Sequence, residues 1–245
     1  MLSKFLRVFF FVLTFCFTLY FCYYVLFLQE DYVIFELNAF IMSRRNKLST
    51  VLNLITLLFC VNFSFAQNID IELLRDINVN RNTSLDPAFT LITKSAVPIS
   101  IGTPLVMYSI GLIKKDSTIK KQALFIGQTF LVSAFVTTAL KYSIKRERPF
   151  NSYLDIEEVR YASGYSFPSG HTSTAFATAT SLCIEYPKWY VIAPTFAWAT
   201  AVGYSRMHLG VHYPTDVLAG AFVGSGAAYL SYKMNKWVNK KRVKK

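Results

Sequence analysis

Three short stretches of this chain carry side chains suited to chemistry on an anion. The last, Ser205 to Asp216, holds Arg206, His212 and Asp216 within a dozen residues. His212 and Asp216 are four apart, so a helix beginning near Pro214 would stack them on one face. The carboxylate could then accept the imidazole Nδ1–H and leave Nε2 bare as a nucleophile, with Arg206 supplying a forked cation to the substrate. Upstream, Lys141 and Arg148 stand about two helical turns apart at the end of an apolar run, both able to point into one site, and Pro149 is expected to stop that helix. Between them comes Pro168-Ser169-Gly170-His171, followed by a run of small residues. Ser169 is suited to cap a helix there, and Gly170 lets backbone amides of the first turn approach a phosphate. His171 is placed to give a proton to a leaving oxygen. Each stretch alone also fits helix caps, snorkelling cations and surface charge. Together they supply three cations, an amide nest and two histidines, a set suited to an anion such as phosphate. No carboxylate or thiolate cluster has metal-ligand spacing, so neither a metal nor another cofactor is expected.

The elements that must position these residues are apolar. Hydrophobic residues make up 53% of the 245 and charged ones 16%, with a mean hydropathy of +0.34. That balance suits a multispanning membrane protein. The net charge of +12 lies in clusters beside apolar segments (Lys114-Lys115, Lys120-Lys121, the tail from Lys240), without an aromatic-interleaved groove or zinc-finger spacing. Membrane topology explains it better than nucleic acid, which is not an expected partner. Cys16, Cys22, Cys60 and Cys183 form no disulfide framework. Residues 1–66 read as an N-terminal hydrophobic and signal region, and 67–245 as the helical-bundle domain. Within the first, 42–66 has the basic, apolar and small-residue layout of a secretory signal peptide, with Met42 as the expected start and cleavage after Ala66. A membrane hairpin over 5–65 is the alternative. From Asn68 to Arg81 an amphipathic helix is expected on the membrane surface or packed on the bundle. Helices are expected over roughly 86–113, 121–144, 171–186, 189–204 and 215–235. The stretch of small residues, 171–186, is too polar for lipid and belongs mid-bundle, and Gly220 and Gly224 permit close helix approach. With Gln67 outside, the positive-inside rule places the lysine-rich loop 114–121 and the tail inside. All three chemical stretches then fall on the outer face.

In their order and spacing the stretches are similar to the signature of the type 2 phosphatidic acid phosphatase superfamily: Lys-x6-Arg-Pro, Pro-Ser-Gly-His and Ser-Arg-x5-His-x3-Asp. These stand as Lys141 to Arg148-Pro149, Pro168 to His171, and Ser205-Arg206 to His212 and Asp216. The resemblance implies an all-α membrane bundle of five to six core helices, its active site at the outer membrane-water interface. It also implies a phosphohistidine on His212, with Asp216 orienting it and His171 protonating the leaving alkoxide and then activating water. Lys141, Arg148, Arg206 and the Ser169-Gly170 turn would hold the phosphoryl oxygens. The implied partner is a lipid phosphate: an isoprenoid pyrophosphate, phosphatidate, phosphatidylglycerophosphate or a lipid A phosphate, met at the periplasmic side of a bacterial inner membrane. The same superfamily contains soluble acid phosphatases, phosphotransferases and vanadate-dependent haloperoxidases. Hydrophobicity argues against the first and size against the last, whereas a phosphotransferase shares the same intermediate.

Overall fold

The computed structural model describes residues 69–243, with side chains through residue 238. The signal-peptide and hairpin readings lie outside those residues. Among the described residues the chain is all helix and connection, without strands. Helix α1 covers 69–78, α2 Asp86–Ile113, α3 Ser117–Ile144, α4 Gly170–Glu185, α5 Trp189–His208 and α6 Pro214–Val243. The expected order of elements is present, and the differences lie at helix ends.

Helix α3 begins at Ser117 and not near Lys121, because the Asp116 carboxylate accepts the Thr118 and Ile119 amides at 2.7 and 3.3 Å. It ends at Ile144, where Lys145 adopts a left-handed φ of 53°. Pro149 therefore does not stop α3; it opens a separate single turn, Pro149–Ser152, where its missing N–H costs nothing. Helix α5 continues past residue 204 to His208, so Arg206 is helical and only 209–213 connect α5 to α6. Helix α6 also runs beyond residue 235, through the basic tail to Val243.

Helix α4 occupies the middle of the bundle and packs against α2, α3, α5 and α6. Its hydroxyls pair with those of neighbouring helices inside the bundle: Ser173 with Thr137 of α3 at 2.6 Å, and Thr178 donating to Ser100 of α2 at 2.8 Å. Small residues are what let the helices come this close. A Cβ added at Gly224 would lie 2.2 Å from the Ser173 carbonyl oxygen, and one at Gly220 2.7 Å from that of Ser169. Large apolar side chains point outward from the neighbours of α4, among them Leu105, Phe135, Trp189 and Phe222. Two stretches, Thr83–Ile113 and Ser117–Ser152, are long and apolar enough to cross a membrane.

Helix α1 packs on the bundle. Ile71 and Leu74 are buried with Ile156 and Tyr213, under the connection between α3 and α4. Its Asp70 is also buried, contrary to a simple apolar-in, charged-out reading of that helix. The C-terminal ends of α3 and α5 and the N-terminal ends of α4 and α6 meet at this end of the bundle, and the chemical residues come with them.

Candidate active site

A cavity of about 440 Å³ opens between these helix ends, lined by Lys141, Arg148, Gly170, His171, Arg206 and His212 from the three stretches. Val97, Ala134 and Thr138 line it on the bundle side, and Arg160 to Ser163 from the connection line it on the other. Six of the eight residues singled out from sequence thus share one space. Asp216 and Ser169 stand behind its wall.

His212 sits in the short connection before α6 and is 2% exposed. Its Nδ1 lies 3.5 Å from Asp216 Oδ2, too long for a strong direct bond. The Ser166 hydroxyl stands between them, 3.2 Å from Nδ1 and 2.5 Å from Asp216 Oδ2. A carboxylate only accepts, so Ser166 gives its single proton to Asp216 and can take the Nδ1–H of His212 on its lone pair. That fixes the tautomer with Nε2 unprotonated, and on that side the nearest polar contact is Arg148 Nη1 at 3.4 Å. Burial pushes the His212 pKa down to about 3, the Asp216 carboxylate pulling the other way and the Arg206 charge adding to burial. The ring is held neutral. Spacing alone suggested a direct Asp216–His212 contact; it is present at 3.5 Å, and Ser166, 46 positions from His212, stands nearer to Nδ1 and bridges the two.

Asp216 is itself fixed from three sides. Ser166 and the Tyr213 amide bond Oδ2, the latter at 3.0 Å, and Arg146 Nη1 bonds Oδ1 at 2.7 Å. Arg146 Nη2 continues to Asp70 Oδ2 at 2.7 Å, and Asp70 accepts both the Thr215 amide, at 2.8 Å, and its hydroxyl, at 2.5 Å. The guanidinium lies 3.8 Å over the Tyr213 ring. Helix α1 thereby reaches the carboxylate behind His212 through one arginine. Sequence reading passed over Ser166, Arg146 and Asp70. Arg146 stood in the Lys141–Arg148 stretch, but nothing local marked it apart from its basic neighbours.

The signature cations are partly occupied within the protein. Arg148 donates to the Gly164, Val211 and Ser163 carbonyls at 2.9, 2.8 and 2.8 Å. Of the five N–H donors of a guanidinium two remain, one of them facing His212 Nε2 at 3.4 Å. Lys141 Nζ donates to the Tyr165 carbonyl at 2.6 Å. These bonds clamp residues 163–166 over the site and so place Ser166. Arg206 donates from Nη1 to Thr93 at 2.7 Å, while its Nε is buried without a partner among the described residues.

Ser169 occupies the N-cap position of α4 without a side-chain cap bond, contrary to expectation. Its amide donates to the Asp216 carbonyl at 2.9 Å and its hydroxyl accepts from Thr172 at 2.9 Å. The first α4 amide bonded back is that of Ser173, to the Ser169 carbonyl at 2.9 Å. The amides of Gly170, His171 and Thr172 therefore stay open at the positive end of the helix. His208, outside the signature, is buried and bonds Asp86 at 2.8 Å, holding α5 to α2.

A membrane helix bundle with a cationic cavity between two histidines, at one end of its helices, is the architecture of a membrane phosphatase. The chain belongs to the PAP2 superfamily, whose model matches residues 122–240. It is 32% identical over 181 residues to an undecaprenyl-diphosphatase of Sulfolobus acidocaldarius, covering 69% of this chain and 80% of that one. The crystal structure of Aquifex aeolicus LpxE superposes with a TM-score of 0.59 at 27% identity, over 67% of this chain and 95% of that one. The transmembrane PAP2 type phosphatidylglycerolphosphate phosphatase from Bacillus subtilis shares the fold with a TM-score of 0.60 at 24% identity, over 78% of this chain and 96% of that one.

Proposed function

We propose that this PAP2 phosphatase removes a terminal phosphate from a lipid phosphate head group through a phosphohistidine on His212. The observation that carries the proposal is the neutral, tautomer-fixed imidazole of His212 at a cavity lined by guanidinium groups. Nε2 attacks phosphorus and the bond to the leaving oxygen breaks. His171 protonates that oxygen, then takes a proton from water as the water cleaves the N–P bond and releases inorganic phosphate. Lys141, Arg148, Arg206 and the open amides of Gly170 and His171 neutralise the equatorial oxygens, which is most of what phosphoryl transfer demands. Ser169 acts behind them, holding the turn against α6. The apolar residues lining the bundle side of the cavity favour a substrate whose tail lies in the membrane, as does the relative that is an undecaprenyl-diphosphatase.

The far ends of the helices carry Lys114, Lys115, Lys120, Lys188, Lys233 and Lys236, so the positive-inside rule turns the site to the outer face of the cell membrane. Trapping tests the mechanism. Protein mixed with a terminally ³²P-labelled lipid phosphate and quenched in alkali should carry acid-labile label on His212. Rapid phosphate release with no label on any histidine would rule this mechanism out.

A further inference from the structure

One cation in the cavity belongs to none of the three signature stretches. Arg160 comes from the connection between α3 and α4, lines the cavity beside Tyr161, and keeps Nη1 buried without a hydrogen-bond partner among the described residues. Glu158, two residues before it, is turned to the Ala162 amide at 2.7 Å and forms no pair with it. Structural work in this connection is done by other side chains: Arg148 and Lys141 clamp its carbonyls, and Arg81 bonds Glu157 at 2.6 Å. A buried guanidinium nitrogen at a cavity wall, without a protein partner, is a donor that a ligand can satisfy. Arg160 lines the same cavity as the proposed acid His171, and the cavity's other cations, Lys141, Arg148 and Arg206, all belong to the signature stretches already assigned to the terminal phosphoryl oxygens. Arg160 is the cation left over for the leaving group.

We infer that Arg160 holds the second phosphate of a diphosphate head group and so sets preference for a diphosphate over a monophosphate ester. The inference rests on the phosphatase reading above. His212 Nε2 forms a bond to the terminal phosphorus while that phosphorus loses its bond to the bridging oxygen. The electron pair goes to the bridging oxygen, and the leaving group is the lipid monophosphate. Its growing charge falls beside Arg160, and His171 supplies the proton. Water then attacks the phosphohistidine, returning a proton to His171 and freeing inorganic phosphate. In a monophosphate ester the leaving oxygen carries only an alkyl chain, and Arg160 has nothing to hold.

The test compares a prenyl diphosphate with the prenyl monophosphate of the same chain length, using the full protein in detergent and its Arg160→Ala and Arg160→Lys variants. Arg160→Ala should lower kcat/KM on the diphosphate roughly 10- to 100-fold, the range for a charge-assisted contact, and change the monophosphate by less than about threefold. Arg160→Lys should recover part of the loss. Retained monophosphate turnover shows that the variant is folded. Equal losses on both substrates, no loss on either, or a wild-type protein active only on the monophosphate would overturn the role of Arg160. A wild-type protein that releases phosphate from neither would instead overturn the phosphatase reading.

Discussion

At the scale of single residues, the pairing His-x3-Asp announced an oriented histidine, but the residue that touches its Nδ1 most closely is Ser166. Ser166→Ala removes the acceptor of that proton while leaving Asp216 bonded to Arg146. The expected result is a kcat about 10- to 100-fold lower with KM little altered, measured on the preferred lipid. A KM effect alone would make Ser166 a binding residue. The depressed pKa of His212 has a sign that can be checked. The unfolded chain takes up a proton at this residue below about pH 6.5, while the folded one resists until about 3, so folding stability falls as pH drops through that window. The melting temperature of His212→Asn should therefore decline less from pH 7 to pH 4 than that of the parent. Ser166 and Arg160 were illegible in sequence because their significance lies in contacts across the fold. A serine near Pro168 is an ordinary loop residue until clamps from Lys141 and Arg148 place it, and an arginine after Val159 is one until the connection folds it against the cavity.

At the scale of elements, the central position of α4 was legible from its small residues, and the amphipathic α1 from its periodicity. What periodicity did not reveal is that α1 is tied into the site. Arg146 separates two carboxylates, Asp70 and Asp216, each nearly inaccessible to water. Arg146→Met leaves them facing each other, and the expected cost is on the order of 3 kcal/mol in thermal or denaturant unfolding, together with reduced turnover. Asp70→Asn in the same protein should recover part of the stability. The approach of α6 to α4 makes a second test. Gly224→Leu drives a side chain into the Ser173 carbonyl and should cost roughly 1–3 kcal/mol, whereas Gly226→Ala, with open space around its Cβ, should leave stability unchanged or slightly raised. Helix ends were the least legible feature. Asp116 extends α3 at its start by capping the Thr118 and Ile119 amides, and Lys145 ends it by turning left-handed, neither of which the apolar run records.

At the scale of the whole molecule, charge and hydropathy carried most of the argument: apolar faces outward, lysines at one end, cationic chemistry at the other. The orientation has a direct readout. In a background lacking native cysteines, Leu154→Cys, fully exposed beside the site, should react with a membrane-impermeant maleimide in intact cells, and Lys115→Cys should react only after lysis. The reverse pattern would turn the site to the cytoplasm. The three stretches singled out by sequence line one cavity. Sequence left open which cations have free donors, because that depends on the carbonyls folded against them. The central claim is that His212 carries the phosphoryl group while cations and helix amides neutralise it. Phosphate release from a lipid diphosphate by purified protein in EDTA, beside His212→Ala with an unchanged melting profile, tests this most directly. Sustained release by the parent and none by the variant is the expected result; release by the variant at a comparable rate would contradict it.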